Sequence, residues 1–309
     1  MINTKRVLST VDISAWRLGA DKDVAFQLVR AFQRDGFAYI TGHGVSPAVV
    51  ADVFSAAHSL FRLSPEQLDA VHLRHRNHYH GYSPARTLPD IGVSVHDDIF
   101  GCSMDVPTSY RGPGEILRHT PNIWPADLPK FRPALERYQV AMRTLADDVL
   151  SAVALGLSLP AGFFRERCTE PHAHLRLLRY QQRPSLPANT VSVGQHSDYE
   201  AVTILAQDDV GGLQVRGSDG WFDVPPVDNA FVLNAGDMLT RWTNGAIPAT
   251  PHRVLTPRTS ERYSCAFFYG TNYDVLIEPA LPPSDPDGEM YEPIITGAFL
   301  WERFTEAGV

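Results

Sequence analysis

Two histidines and one aspartate in this chain stand in an order that suits metal binding. His196 and Asp198 are separated by one residue, and His252 follows later in the chain. Residues i and i+2 of a strand point to the same face, so His196 and Asp198 can reach one ion. Two imidazoles and one carboxylate form the facial triad that holds Fe(II) and leaves the opposite positions open for substrate and dioxygen. These three residues are the predicted metal ligands, and the open three-ligand face favours iron over zinc.

A second pair with the same spacing lies further along the chain. Arg262 and Ser264 would present a guanidinium fork and a hydroxyl to one carboxylate, an arrangement that suits bidentate recognition. A buried arginine without an anion is costly, so either a ligand or an internal acid must lie beside it. Strand alternation continues this face through Ala266 and Phe268, which are candidates for pocket lining or for ordinary core.

The residues around these positions resemble the isopenicillin N synthase-like family of Fe(II)/2-oxoglutarate-dependent oxygenases. The matching segments follow the family order over nearly the whole chain. They are 12–14 (DIS), 36–44 (GFAYITGHG), 196–215, 234–237 (NAGD), 242–245 (WTNG) and 251–254 (PHRV). One H-x-D pair would be a weak signal, but this many ordered matches is a strong one.

The resemblance implies that the protein uses Fe(II), 2-oxoglutarate and O2 to oxidise an unactivated C–H bond of a small molecule, with release of succinate and CO2. Hydroxylation is the default outcome, and desaturation or cyclisation starts from the same hydrogen removal. The resemblance places the 5-carboxylate of 2-oxoglutarate at Arg262 and Ser264, with Tyr180 as a further contact. By strand alternation, Arg176 shares the face of Tyr180, and Arg179 lies on the outer face.

Two alternative functions stay open from the sequence. A related iron oxidase that does not use 2-oxoglutarate keeps the same triad and the Arg-x-Ser pair, and succinate release separates the two enzymes. The other alternative is a non-catalytic small-molecule binding module that has kept the barrel. The intact triad speaks against that module, and iron-dependent O2 uptake would decide between it and an enzyme.

Four histidines cluster in an irregular region over about 72–124 that is rich in His, Pro and Gly. They are His72, His75, His78 and His80. A second metal site is one interpretation of this cluster, but Arg74 and Arg76 in the same stretch oppose a cation. A solvated polar loop is therefore expected.

Composition limits the partners and the location. The chain has 309 residues, 44% of them hydrophobic and 20% charged, so it can bury a sizeable core. Its net charge of −8 argues against nucleic-acid binding, and no apolar run is long enough for a signal peptide or membrane span. Cys102, Cys168 and Cys265 are scattered, which predicts no disulfide framework and a reducing, cytoplasmic setting. A small-molecule substrate, of the kind made in specialised metabolism, is the expected partner.

The predicted elements describe a mainly β fold with flanking helices. Apolar periodicity and caps predict helices at about 22–34, 47–61, 126–157 and 160–167. Short apolar runs between turn signals predict strands at 175–181, 202–206, 212–215, 220–224, 231–234, 238–242, 252–255 and 263–269. We therefore expect a single domain over 1–309: a helix-rich region (1–170) packed on a double-stranded β-helix, or jelly-roll, core (171–280), followed by a C-terminal segment (281–309). Asn234 and Asp237 are expected to organise a turn.

Overall fold

Two β-sheets enclose an apolar interior, and the helices cover the outside of the larger sheet. The computed structural model describes residues 6–19, 21–75, 79–88, 94–105, 110–115, 117, 120–283, 288 and 290–306. The strands within these ranges are β1 (Thr10–Asp12), β2 (Phe37–Thr41), β3 (Gly81–Ser83), β4 (Arg86–Leu88), β5 (Ser94–His96), β6 (Asp98–Ser103), β7 (Ala173–Tyr180), β8 (Val191–His196), β9 (Val202–Gln207), β10 (Leu213–Gly217), β11 (Gly220–Asp223), β12 (Phe231–Ala235), β13 (His252–Leu255), β14 (Arg262–Tyr269), β15 (Leu276–Ile277) and β16 (Ile294–Ile295).

The order of the strands confirms the predicted double-stranded β-helix. Among the described residues, the larger sheet runs β1-β2-β12-β9-β14-β7-β6-β3, and the smaller sheet runs β11-β10-β13-β8-β5-β4. Strands β15 and β16 form a separate ladder. Apart from the β10–β11 hairpin, which stays in the smaller sheet, successive strands from β7 to β14 alternate between the two sheets, so both sheets contribute side chains to the space between them.

The helices pack mainly on the outer face of the larger sheet, as predicted. Those described are α1 (Ser14–Gly19), α2 (Lys22–Asp35), α3 (Pro47–Leu60), α4 (Pro65–Ala70), α5 (Phe131–Gly156), α6 (Asp237–Trp242) and α7 (Thr296–Glu306). Asp21 caps the start of α2 by accepting a backbone N–H two residues on, and Gly36 ends the helix with a φ of 67°. The buried face of α2, with Ala25, Leu28 and Phe32, packs against α5.

Strand β14 shows how one strand serves two cores. Tyr263, Cys265 and Phe267 point outward into the cluster formed with the helices. Ala266 points inward, into a second cluster between the sheets that includes Val215 of β10. Because neighbouring residues of a strand face opposite sides, this alternation leaves the inner face of β14 available for a site.

Three predicted elements are wrong in type or extent. The stretch 238–242 is helix α6 and not a strand, because Met238, Leu239 and Trp242 have helical spacing and all are buried. The predicted helix at 160–167 is a turn followed by a short 3₁₀ helix, Arg165–Arg167. The long helix begins at Phe131 rather than near 126, since Pro129 disfavours helical geometry in the residue before it.

The region predicted to be irregular contributes strands to both sheets. Strands β3 and β6 extend the larger sheet, and β4 and β5 extend the smaller one. His80 is buried rather than solvated, with its Nε2 2.8 Å from the Ser103 hydroxyl, whereas His78 lies outside the described residues. Arg179 lies on the outer face, as predicted, where its guanidinium donates to Asp98 at 2.7 Å.

No helix in the described ranges combines the length and apolarity that a membrane span needs.

The division of the chain at 170 and 280 stays a prediction. Within the larger sheet, β2 and β6 from the first part of the chain pair with β12 and β7 from the second.

Candidate active site

The three predicted metal ligands converge at one end of the space between the sheets. His196 ends β8, and His252 begins β13, and the two residues are paired in the antiparallel ladder. One ring nitrogen of each histidine and one carboxylate oxygen of Asp198 all lie within 4.8 Å of one another. The expectation that Asp198 lies in the same strand is wrong, because β8 ends at His196 and Asp198 follows in the connecting loop. We call His196, Asp198 and His252 the metal triad.

Hydrogen bonds to backbone carbonyls orient both imidazoles of the metal triad as metal ligands. The Nδ1 of His196 is 2.9 Å from the carbonyl of Gly194, and the Nδ1 of His252 is 3.3 Å from that of Thr250. If each Nδ1–H donates to its carbonyl, each Nε2 keeps its lone pair for a metal. Burial lowers the pKa of His252 to about 4, so this ring is neutral at pH 7.

The carboxylate of Asp198 is held by its outer oxygen. Its Oδ2 accepts hydrogen bonds from Thr203 Oγ1 at 2.5 Å and Asn234 Nδ2 at 2.7 Å, while Oδ1 lies 3.7 Å from His196 Nε2 and 3.6 Å from His252 Nε2. Burial opposes ionisation of Asp198, but the two imidazoles and the two hydrogen bonds outweigh it, and its pKa lies below the usual value. These residues fit a divalent cation, because two imidazole nitrogens and one oriented carboxylate share one position.

The assignment of Asn234 to a turn is wrong. Asn234 lies in β12 opposite Thr203 of β9, and both side chains point toward Asp198. This role becomes visible only once the two strands are known to pair. Two polar side chains that lie side by side inside the barrel need hydrogen-bond partners, and Asp198 supplies one for both.

We expect Asn234→Ala to weaken binding of a divalent metal by about 10- to 100-fold, because it removes one of the two bonds that orient Asp198. Titration with Co(II) by calorimetry measures the effect. Asn272→Ala is the matched control, since it removes hydrogen bonds to the Thr169 hydroxyl and from the Glu170 backbone, both outside the site. Equal Co(II) affinity in the two variants would contradict the positioning role of Asn234.

The predicted carboxylate-binding residues also come together, deeper in the same space. Arg262 is 1% exposed, and its guanidinium lies over the Tyr180 ring at 4.4 Å. The Tyr180 hydroxyl is 3.4 Å from the Ser264 hydroxyl. Nη2 of Arg262 donates to Gln207 at 3.2 Å, whereas its Nε and Nη1 are buried without a hydrogen-bond partner. We call Arg262, Ser264 and Tyr180 the Arg262 cluster.

A buried guanidinium with unused donors is suited to bind an anion. Within the described part of the chain, no carboxylate lies at salt-bridge distance from Arg262, so the alternative of a structural ion pair has no acid to form it. A planar carboxylate matches two neighbouring N–H donors of a guanidinium.

One cavity of about 420 Å³ joins the metal triad to the Arg262 cluster. This volume lies in the usual range for small-molecule sites. Its walls are mostly apolar, and both candidates for pocket lining face it. The apolar lining residues include Phe37, Leu178, Leu205, Leu213, Val254, Ala266 and Phe268.

Asp97 lines the same cavity, and its pKa predicts how the stability of the folded protein depends on pH. Among the described residues neither of its carboxylate oxygens has a partner with good hydrogen-bond geometry, and burial raises its pKa to about 6 from an ordinary value of 3.8, although Ser192, Arg183 and the Gln181 backbone partly oppose this rise. The folded protein therefore opposes ionisation of Asp97, and the penalty grows as pH rises from about 4 to about 6 and is then constant.

We expect Asp97→Asn to raise the free energy of unfolding by roughly 2–3 kcal/mol at pH 8, at about 1.4 kcal/mol per pKa unit. The same substitution should have little effect near pH 3, where the wild-type carboxyl is mostly protonated in both states. Urea unfolding at the two pH values measures this difference. An equal effect at both pH values, or a loss of stability at pH 8, would contradict the idea that burial disfavours the ionised carboxylate of Asp97.

Comparison with known proteins gives consistent matches over most of the chain. Residues 171–271 match the 2OG-Fe(II) oxygenase superfamily, and residues 8–127 match the N-terminal segment described for non-haem dioxygenases in morphine synthesis. The 2-oxoglutarate-dependent dioxygenase citB of Monascus ruber is 34% identical, over 88% of this chain and 87% of its own. Homoarginine-6-hydroxylase 2-ODD-C23 of Glycine max is 32% identical, over 83% and 80%.

A solved structure has the same fold as this chain. A full-length protein of Neurospora crassa, crystallised in complex with alpha-KG and thymine, superposes with a TM-score of 0.84 at 27% identity, and the match covers 99% of each chain.

Proposed function

Because this chain belongs to the 2OG-Fe(II) oxygenase superfamily, we propose specific roles for the two residue groups that share its cavity. The metal triad binds Fe(II). The Arg262 cluster binds the 5-carboxylate of 2-oxoglutarate. The protein is a 2-oxoglutarate-dependent dioxygenase, an oxidoreductase that uses Fe(II), 2-oxoglutarate and O2.

The observation that carries this assignment is the pair of unused donors on Arg262. They lie in the same cavity as the metal triad, so one molecule with a carboxylate at one end can reach both groups. 2-Oxoglutarate has that shape: a second carboxylate and a keto oxygen at its other end are oxygen ligands for a metal. The hydroxyl of Ser264 is a further donor beside Arg262.

The side chains that line the cavity bind the metal, orient its ligands and exclude water. When bound, Fe(II) supplies O2 activation and C–H oxidation, coupled to conversion of 2-oxoglutarate to succinate and CO2. His196, Asp198 and His252 would hold this ion with three protein ligands, which leaves further coordination positions for 2-oxoglutarate and O2. Asn234 and Thr203 hold Asp198 before any ligand arrives, so this carboxylate needs no reorganisation on binding. The apolar walls exclude water from the reacting groups.

The primary substrate is a small molecule, since the cavity that holds the two groups is of small-molecule size. Its origin in specialised metabolism and the cytoplasmic location of the enzyme stay predictions. Hydroxylation is the proposed outcome, because hydrogen removal followed by oxygen transfer needs no further residue of the protein.

A metabolite screen tests the proposed function and searches for the substrate at the same time. Purified protein is incubated with Fe(II), isotope-labelled 2-oxoglutarate and fractions of a small-molecule extract, and labelled succinate is measured. We expect at least one fraction to raise succinate release well above the release without extract. Failure of every fraction, together with no detectable 2-oxoglutarate binding, would contradict the assignment.

A further inference from the structure

A second arginine of the larger sheet faces the cavity, away from the Arg262 cluster. In the ladder between β7 and β14, Tyr180 pairs with Arg262 and Arg176 pairs with Ala266. Paired residues share a face, so Arg176 and Arg262 point into the same space, four residues apart along the sheet. At about 3.3 Å per residue this is a separation of about 13 Å between their backbone positions. Arg176 is therefore not part of the 2-oxoglutarate end of the cavity.

Arg176 lines the cavity beside the metal triad, and the described residues offer it no polar partner. Its side chain is half-buried and lines both the central cavity and an adjoining side pocket of about 100 Å³, which His196 and Asp198 also line. For this guanidinium the described residues provide neither a hydrogen bond nor an ion pair. Its described contact is the Phe268 ring, 5.4 Å from the guanidinium carbon. The donors of Arg176 are thus available to a ligand.

The two carboxylates of the side pocket are already engaged. Asp198 faces the metal position and accepts two hydrogen bonds on its other oxygen. Glu200 is buried, and its Oε1 lies 3.1 Å from Nε2 of His172. His174, next along the face of Arg176, does not compete for an anion, since burial and the neighbouring guanidinium lower its pKa well below the usual value.

We propose that Arg176 binds a carboxylate of the primary substrate, and that this substrate is a small organic acid with an apolar or aromatic body. The proposal rests on the proposed function, because it places the acid next to the metal triad. The body of the acid packs against the aromatic side chains that line the side pocket, Tyr199, Phe268 and Phe304. Tyr199 and Phe304 meet edge to face at 5.6 Å, so this wall is preformed. The 2-oxoglutarate carboxylate and the substrate carboxylate are then bound by different arginines.

Phenylacetate and its uncharged analogue phenylacetamide test this proposal, since both carry the aromatic body and differ in the acid group. Binding is measured by calorimetry, without O2, to wild-type protein saturated with Fe(II) and 2-oxoglutarate. We expect the acid to bind about 10- to 100-fold tighter than the amide, the usual range for a charge-assisted hydrogen bond at a partly buried site. This preference should disappear in Arg176→Gln and be partly kept in Arg176→Lys.

Arg216→Gln is the matched control, since Arg216 is exposed on β10 over Trp221 and does not line the cavity. It should keep the preference for the acid. The proposal is overturned if wild-type protein binds neither probe at millimolar concentration, binds them equally, or prefers the acid to the same extent in Arg176→Gln. Binding of 2-oxoglutarate in the same samples separates this failure from failure of the proposed function, and it shows that each variant is folded.

Discussion

His252→Ala abolishes turnover and most of the affinity for Fe(II); this is the largest effect that we expect from a single substitution. The imidazole is one of three protein ligands, and its loss leaves one nitrogen and one carboxylate to hold the ion. His252 is held by its bond to the Thr250 carbonyl and by its place opposite His196 in the ladder, and among the described residues no fourth His, Cys, Asp or Glu joins this group to replace it. The double variant His196→Ala/His252→Ala should bind no Fe(II) at micromolar concentration.

Fe(II) titration without O2 and labelled-succinate release measure these effects. His43→Ala is the control, since its ring bonds to the carbonyl of Asn229 and does not line the cavity. Tight iron binding by the double variant, or full activity of metal-free wild-type protein, would show that the metal triad is wrongly assigned.

Arg262→Gln should weaken 2-oxoglutarate binding by roughly 30-fold to several thousand-fold. Removing one partner of a buried charge pair costs about 2–5 kcal/mol, mostly because the other charge is left unpaired. At about 1.4 kcal/mol per decade, this cost gives the stated range. Ser264→Ala should have a milder effect of about 1–2 kcal/mol, since it removes one hydrogen bond to a charged group.

Calorimetric titration of 2-oxoglutarate into the Fe(II)-loaded variants, without O2, checks this expectation. Iron binding must survive in both, because the Arg262 cluster is separate from the metal triad. An unchanged 2-oxoglutarate affinity in Arg262→Gln would move the anion site elsewhere in the cavity, whereas loss of iron binding would point to general misfolding.

The chemistry of the site was more predictable from the sequence than the shape around it. The spacing of His196 and Asp198 and the alternation from Arg262 to Phe268 depend on local geometry that one strand or turn supplies. The resemblance added Tyr180, and the structure brings that ring against Arg262. Because these patterns are local, they can be recognised without knowledge of the fold.

The groups that were missed depend on pairing between distant segments. Asn234 supports Asp198 only because β12 pairs with β9, and the sequence does not specify that neighbour. Arg176 was placed correctly on the face of Tyr180, but its lack of an acidic partner depends on what surrounds the side pocket. Strands β3 to β6 were missed because three of them have only three residues and all contain polar residues or Gly that interrupt the apolar pattern, so tertiary pairing overrides weak local propensity.

Use of 2-oxoglutarate is tested most directly by the stoichiometry of succinate to oxidised substrate, measured with the substrate that the screen identifies. We expect equimolar succinate and oxidised product, and no product when 2-oxoglutarate is left out. Oxidation at full rate without 2-oxoglutarate, and with no succinate formed, would contradict this expectation and identify the protein as an iron oxidase of the same fold.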